Sequence, residues 1–448
     1  MHCVTNIHED LYWLGASDRR LAKFENVFPI PRGVSYNAYL VLDEKTVLLD
    51  TVDKAVGERF FENLEFALAG RPLDYVIVNH MEPDHCATLG ELLRRWPDVQ
   101  VVANAKTVPM IGQFFDCDIS SRTVVVKEGD TLTTGRHTFT FLMAPMVHWP
   151  EVMVTYDAAD KVLFSADAFG TFGALNGNIF ADQVNFERDW LDDARRYYTN
   201  IVGKYGAQVQ SLLKRATGLD IQMICPLHGP IWRENIGWFL EKYQLWSTYT
   251  PEDRAVAIFC GSIYGHTENA AEVLACRLAE KGVQNIALYD VSHTDVSYLV
   301  SEAFRCSHLV LASATYNGEI YTPMENFLRD LACHGLRNRS VALIENGTWA
   351  ARSGMLMTKL LEEMKDMRVM EGTVTLKSSV KEAQRRSLEC LAESIADELP
   401  HGPPTKQTPA GLAGGGLLFF WGNKKGKPRL LFLQQAAFSV LYFSFTAA

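Results

Sequence analysis

The six residues His80-Met81-Glu82-Pro83-Asp84-His85 hold two imidazoles and two carboxylates, four groups able to bind a metal. They stand directly after an apolar run, residues 73–78, that predicts a buried strand. A single buried histidine is usually a hydrogen-bonded core residue, and an exposed Asp-His pair is usually solvated surface. Four donors together after a strand point instead to a metal. Glu82 makes the set harder and more anionic, and mixed His/carboxylate shells suit iron in oxygen chemistry better than zinc in hydrolysis. Three more donors follow. His148 comes after apolar residues 139–143, Asp167 after 162–165 and His228 after 221–224. Each falls at or just past the C-terminal end of a predicted strand, where sites are commonly built on a rigid scaffold. Seven donors, one of them a carboxylate able to bridge, suffice for two metals with open positions for a small substrate.

The elements that must position these donors divide near residue 250. In the first part, predicted strands at 46–50, 75–78 and 99–102 mix with helices at 57–68 and 88–96, and a run of β hairpins follows. That order fits a sandwich of sheets flanked by helices. Residues 248–254, a polar cluster around Pro251, read as a linker. Beyond it strand and helix alternate, with strands at 255–259, 286–289, 308–312 and 340–344 and a first helix at 268–281. The near-continuous apolar runs predict a parallel sheet covered on both faces, a doubly wound α/β domain.

Three loops of this second part carry chemistry. Ser262, Ile263, Tyr264, Gly265, His266 and Thr267 join its first strand to its first helix. Backbone N–H groups at the helix N-terminus and two hydroxyls can cradle a phosphate there, although an ordinary Ser/Gly turn with a capping Thr reads the same way. Two further loops converge on the same sheet edge: Ser313 with Ala314, Thr315, Tyr316, Asn317 and Gly318, and Glu345 with Asn346, Gly347, Thr348, Trp349 and Ala350. Tyr264, Tyr316 and Trp349 offer aromatic faces to a planar ring.

With these motifs quoted, residues 1–248 resemble the diiron domain of flavodiiron proteins. Its hydrolytic zinc relatives usually carry H-x-H-x-D-H where this chain has Glu82 in the middle position. The resemblance implies that His80, Glu82 and His148 bind one iron, that Asp84, His85 and His228 bind a second, and that Asp167 bridges them. Residues 254–398 resemble flavodoxin, which implies FMN in the three loops. The fold class expected is α/β: an N-terminal metallo-β-lactamase-like αββα sandwich followed by a flavodoxin-like doubly wound parallel sheet. The activity implied is reduction of O2 to water, or of two NO to N2O and water, in a head-to-tail homodimer or a dimer of dimers, with the FMN of one chain facing the irons of the other. No C-x-x-C pair encodes a fused rubredoxin, and no G-x-G-x-x-G after a strand encodes a nicotinamide site. An external electron donor is therefore expected. A separate rubredoxin is the first choice, with a flavin reductase or reduced deazaflavin as alternatives. O2 versus NO stays open, because pocket groups beyond the ligands decide it. Tyr197 and Tyr198 are candidates either for that pocket or for plain packing. Two other classes compete: a zinc hydrolase with an appended flavodoxin domain, separable by bound-metal analysis, and a redox-sensing electron carrier with a silent metal site, separable by gas consumption.

Composition agrees. The 448 residues suggest two or three domains, and 48% hydrophobic with 21% charged residues is the balance of a soluble globular protein. A net charge of −10 argues against nucleic acid as the main partner. Nine scattered cysteines and no signal-peptide pattern at the N-terminus lead to an expected reducing cytoplasm. Residues 400–448 are an atypical tail. A Pro/Gly-rich stretch leads to basic Lys424, Lys425, Lys427 and Arg429, then an apolar run broken by Gln434 and Gln435. A membrane anchor and a disordered or non-native tail are the two readings. The short, interrupted run favours the second.

Overall fold

A computed structural model of the chain describes residues 2–399. The tail at 400–448 lies outside the described residues. Among them, no helix is long and apolar enough to cross a membrane.

The first half is built on two sheets. One has the strand order Thr5–Asn6, Leu11–Trp13, Tyr39–Leu42, Thr46–Leu49, Tyr75–Ile77, Gln100–Asn104, Thr123–Val126. The other runs Thr131–Thr133, Thr138–Met143, Met153–Asp157, Val162–Phe164, Met223–Cys225. One apolar cluster, from Leu11 to Trp246, fills the space they enclose and reaches the helices. Helix Gly57–Leu68 shows how local sequence does this. Phe60, Phe61, Leu64 and Leu68 recur at helical spacing and are buried. The helix stops where Ala69 turns left-handed at φ 48°, just before Gly70.

The second half has one sheet in the order Ile286–Asp290, Asp253–Gly261, Cys306–Tyr316, Arg339–Asn346, Met367–Val369, all parallel along this path. Alternate residues of the central strands feed two cores. Ala257, Phe259, Leu309 and Leu311 belong to one, while Val256, Ile258, Val310 and Ala312 belong to the other. This is the two-sided burial expected of a doubly wound sheet. Apolar clusters change over between Trp246 and Tyr249, yet the described residues fall in one compact unit.

Some bounds differ from the sequence reading. Asp253 and Arg254, expected in the linker, already belong to a strand, because Asp253 pairs with Cys306. Residues 313–316 and 345–346, expected in loops, extend strands. Thr315 and Tyr316 pair antiparallel with Ile320 and Glu319 across an Asn317-Gly318 turn with both φ positive (53° and 80°). Asn-Gly favours that hairpin turn. The helix after the first loop starts at His266 rather than residue 268, since Gly265 at φ 84° takes the cap position.

Candidate functional site

The seven donors converge. His80, Glu82, His148 and Asp167 form one group, and Asp84, His85 and His228 form a second. His80 follows strand Tyr75–Ile77, and Glu82 caps the one-turn helix Pro83–Cys86 that carries Asp84 and His85. Asp167 lies in the turn after Val162–Phe164, between Ala166 at φ 51° and Phe169 at φ 69°. Left-handed non-glycine residues cluster around the donors, and Met146 (φ 65°) and Asp50 (φ 57°) add to them. Such residues cost about 1–3 kcal/mol each and persist where surrounding contacts over-determine them.

Asp167 stands between the groups. Its Oδ2 lies 3.2 Å from Nε2 of both His80 and His148, and its Oδ1 lies 3.1 Å from His85 Nε2 and 3.6 Å from His228 Nε2. Glu82 Oε2 lies 2.9 Å from His148 Nε2 and 3.3 Å from His80 Nε2. Asp84 Oδ2 lies 3.3 Å from His85 Nε2 and 3.2 Å from His228 Nε2. The two imidazole nitrogens of His85 and His228 approach to 3.1 Å. Donors about 2.1 Å from one ion stand roughly 3.0–3.4 Å apart. The oxygens of Asp84 and Asp167 are buried and accept no hydrogen bond among the described residues. Carboxylates buried against imidazole nitrogens alone are costly, and a cation between them removes the cost. Two metal ions therefore fit this donor set.

The electrostatics agree. Burial opposes charging of His80, His85 and His148, but neighbouring carboxylates outweigh it: Asp167 first for His80 and His148, Asp84 and then Asp167 for His85. All three pKa values rise, His148 to about 9. Asp167 is held well below its ordinary value despite burial, by His85 and His80. Protons thus stand in for metal cations. Of the seven donors, Glu82, Asp84 and His148, 8% exposed each, mark the open side of the site.

Groups that sequence reasoning missed hold the ligands from behind. Asp50 accepts the Asn79 backbone N–H (2.7 Å), Asn79 Nδ2 (2.7 Å) and the His80 N–H (3.3 Å). Glu151 contacts His80 Nδ1 at 2.8 Å, and the Ser35 carbonyl contacts His228 Nδ1 at 2.7 Å. Glu25, at a hairpin tip with φ 49°, lies beside Glu82; desolvation and Glu82 raise its carboxyl to about 8. The two tyrosines separate. Tyr197 packs 5.4 Å from the His228 ring, and its buried hydroxyl has no partner among the described residues. Tyr198 packs against Tyr243 and Trp246 instead. No local signal distinguishes them, because the chain passes into a π-helical turn at Tyr198–Val202.

The three loops of the second half gather at one sheet edge. Ser262 Oγ accepts the Gly265 N–H at 3.0 Å. The helix His266–Glu280 has no side-chain cap, so its first N–H groups are available to an anion. Thr267 is buried and accepts from Asn346 Nδ2 at 3.2 Å, which joins the first and third loops. Thr315 Oγ1 accepts the Arg352 and Ser353 N–H groups. Ser378 was not foreseen. It accepts Asn346 Nδ2 on its carbonyl and meets Thr348 Oγ1 at 3.0 Å. Around this edge Tyr264 is 88% exposed, Trp349 91%, Tyr316 46% and Ile263 42%. Large rings are thus left in water on this one edge.

Two outer groupings, His8 with Asp10 and Asp160, and His137 with Asp157 and Asp160, also have metal-like spacing. Arg136 already pairs with Asp10 (2.9 Å) and Asp160 (2.7 Å), which supplies their countercharge.

Fold and site define a metallo-β-lactamase-like domain with a two-metal donor set, joined to a flavodoxin-like domain. Relatives agree. A family model described as ODP family beta lactamase matches residues 34–229. The chain is 30% identical over 366 residues to the anaerobic nitric oxide reductase flavorubredoxin of Shigella flexneri, across 80% of this chain and 75% of that protein. It is similar to the rubredoxin oxygen:oxidoreductase from the anaerobe Desulfovibrio gigas, with TM-score 0.82 and 28% identity over 88% of this chain and 98% of that one. A flavo di-iron protein from Thermotoga maritima gives TM-score 0.81 and 26% identity over 89% and 100%. The chain belongs to the flavodiiron protein family.

Proposed function

We propose that this protein is a flavodiiron oxidoreductase that reduces O2 to water, NO to N2O, or both. The observation that carries the reading is Asp167, buried with one oxygen facing the imidazole nitrogens of each group of donors. His80, Glu82 and His148 hold one iron, Asp84, His85 and His228 the other, and Asp167 bridges. FMN is held by the loops 262–267, 314–318 and 346–350. When bound, the iron pair supplies open coordination positions and electrons for the gas, and FMN resupplies the electrons singly.

The chain's own groups do the rest. Glu151 and the Ser35 carbonyl orient the His80 and His228 rings with Nε2 toward the metals. Tyr197 keeps a protonated hydroxyl, since burial and the carboxylates of Asp167, Asp84 and Glu82 push its pKa well up, and so it remains a hydrogen-bond donor beside the site. The apolar core around the cluster excludes bulk water from all but the Glu82, Asp84 and His148 side. Residues 1–248 form the diiron domain and residues 254–398 the FMN domain. The exposed aromatic edge around Tyr264 and Trp349 supports a head-to-tail homodimer, or a dimer of such dimers, in which it covers the partner's metal site. Electrons come from an external donor, and the name of the Desulfovibrio gigas relative, rubredoxin oxygen:oxidoreductase, favours a rubredoxin. A cytoplasmic setting goes with these partners.

The test is steady-state consumption of O2 and of NO, measured anaerobically for the latter, by iron- and FMN-loaded protein with one donor. Turnover of either gas is expected, and the ratio of rates assigns preference. Two tightly held zincs, hydrolytic activity and no gas reduction after iron loading would replace this reading with the hydrolase.

A further inference from the structure

The imidazoles of the two ligand groups are not held alike from behind. His80 Nδ1 lies 2.8 Å from Glu151 Oε1, which also accepts the Met81 backbone N–H at 2.9 Å. Glu151 is 1% exposed, and its Oε2 has no partner among the described residues. In the other group, His228 Nδ1 meets a neutral backbone carbonyl, and the buried His85 Nδ1 has no partner among the described residues. Asp50 is a different case, because its hydrogen bonds come from backbone and amide N–H groups rather than from a ring.

We propose that Glu151 makes the two metal positions unequal, so that the iron held by His80, Glu82 and His148 is the more tightly bound and the more readily oxidised of the pair. The proposal rests on the diiron reading, and Glu151 enters as a positioning residue. A carboxylate that accepts the Nδ1 proton fixes the tautomer, turns the Nε2 lone pair to the metal and makes the ring a stronger donor. Counting charge gives the same sign. With Asp167 shared, each group has one carboxylate of its own, Glu82 or Asp84. Asp50, the other buried carboxylate behind the site, faces both groups, since it accepts the His80 N–H and acts on His85; Glu151 sets its charge against a ring of the first group alone, and negative charge favours the ferric ion. Removal of one electron from the ferrous pair by ferricyanide, reduced to ferrocyanide, leaves the ferric ion in the His80 group.

The test uses the full chain loaded with 57Fe and FMN. Glu151→Gln keeps the size of the side chain and an oxygen for its two donors but removes the charge. Chelator release from the wild type is expected in two phases, the slower one from the His80 group. In Glu151→Gln the slow phase accelerates about 10–100-fold while the fast phase is unchanged. The first midpoint potential rises by about 59 mV for each tenfold loss of ferric preference. FMN content and thermal unfolding report whether the variant is folded. Acceleration of both phases alike, or of neither, overturns the proposal. A second measurement needs no variant. In wild-type crystals oxidised by one electron per pair, anomalous scattering across the iron edge, refined for each iron, assigns the ferric ion. Finding it in the Asp84, His85, His228 group, or evenly spread, overturns the proposal and leaves the diiron reading standing. Failure of the wild type to hold two irons counts against the diiron reading itself.

Discussion

Asp167 is the residue on which the proposed metal centre turns, because no other side chain among the described residues faces both groups of donors with separate oxygens. Asp167→Ala should therefore lose one or both irons, measured as iron per chain, while FMN stays bound. Full iron and full gas turnover in that variant would remove the bridging assignment. A residue far from the metals carries a pH effect. Burial opposes charging of His137, but Asp157 at 2.7 Å and Asp10 at 3.0 Å raise it from 6.5 to about 9. A raised folded pKa adds stability that is fully present below pH 6.5 and lost as pH rises through about 9. Its size is on the order of 3 kcal/mol at most. The wild-type Tm should fall between pH 6.5 and 9.5, and His137→Ala should flatten that slope; parallel curves would exclude His137 as the cause. The seven donors that cluster were legible because four sit within six residues and the others each close an apolar run. Glu151 and Ser35 were not. They lie 71 and 193 positions from the histidines they orient, and nothing local marks them.

At the scale of elements, the phosphate loop and helix His266–Glu280 act together. Thr267 is buried at the first turn, and Gly265 at φ 84° sets the helix entry. Removing the Thr267 hydroxyl should cost about 1.5–3 kcal/mol of FMN binding if it donates to a charged phosphate, roughly tenfold or more in Kd. Gly265→Val forces a β-branched residue into left-handed backbone and should weaken FMN further. Fluorescence titration with FMN reads both variants, and iron per chain should not move. Retained FMN in both would put the phosphate elsewhere, and iron lost along with FMN would mean that the loop supports both halves. Helix Gly57–Leu68 was legible to the residue, since its apolar stripe and the Ala69-Gly70 stop are local signals. The strand ending at Tyr316 ran past its expected end because a hairpin partner, Glu319–Ile320, pairs with it, and pairing is decided in three dimensions.

For the whole molecule, the question is what couples the two halves. Arg195, on helix Leu191–Tyr197, pairs through Nε with Glu252 in the connecting segment, and Lys242 reaches the same carboxylate at 2.9 Å. Arg196 contacts the second half directly, with Nη1 3.1 Å from Ser297 Oγ and the guanidinium 4.1 Å from the Tyr298 ring centroid. Arg339 returns the contact. Its buried guanidinium donates to the carbonyls of Tyr249, Ala303 and Phe304 and ties the connecting segment to the second sheet. Charges this deeply buried are costly to leave single, and removing one partner of a buried pair typically costs about 3–5 kcal/mol. Arg195→Ala strips Glu252 of its nearest cation, and Lys242, more exposed, compensates in part. That loss falls on the junction rather than on the cores of the two halves, which lie in separate apolar clusters. Calorimetry should therefore show the transition broaden or divide into two, the lower one shifted down by several degrees, with iron and FMN content at 25 °C unchanged. A single sharp transition at the wild-type Tm would mean that the junction contributes nothing. A uniform downward shift without broadening would mean that the halves unfold as one cooperative body and are not separate domains.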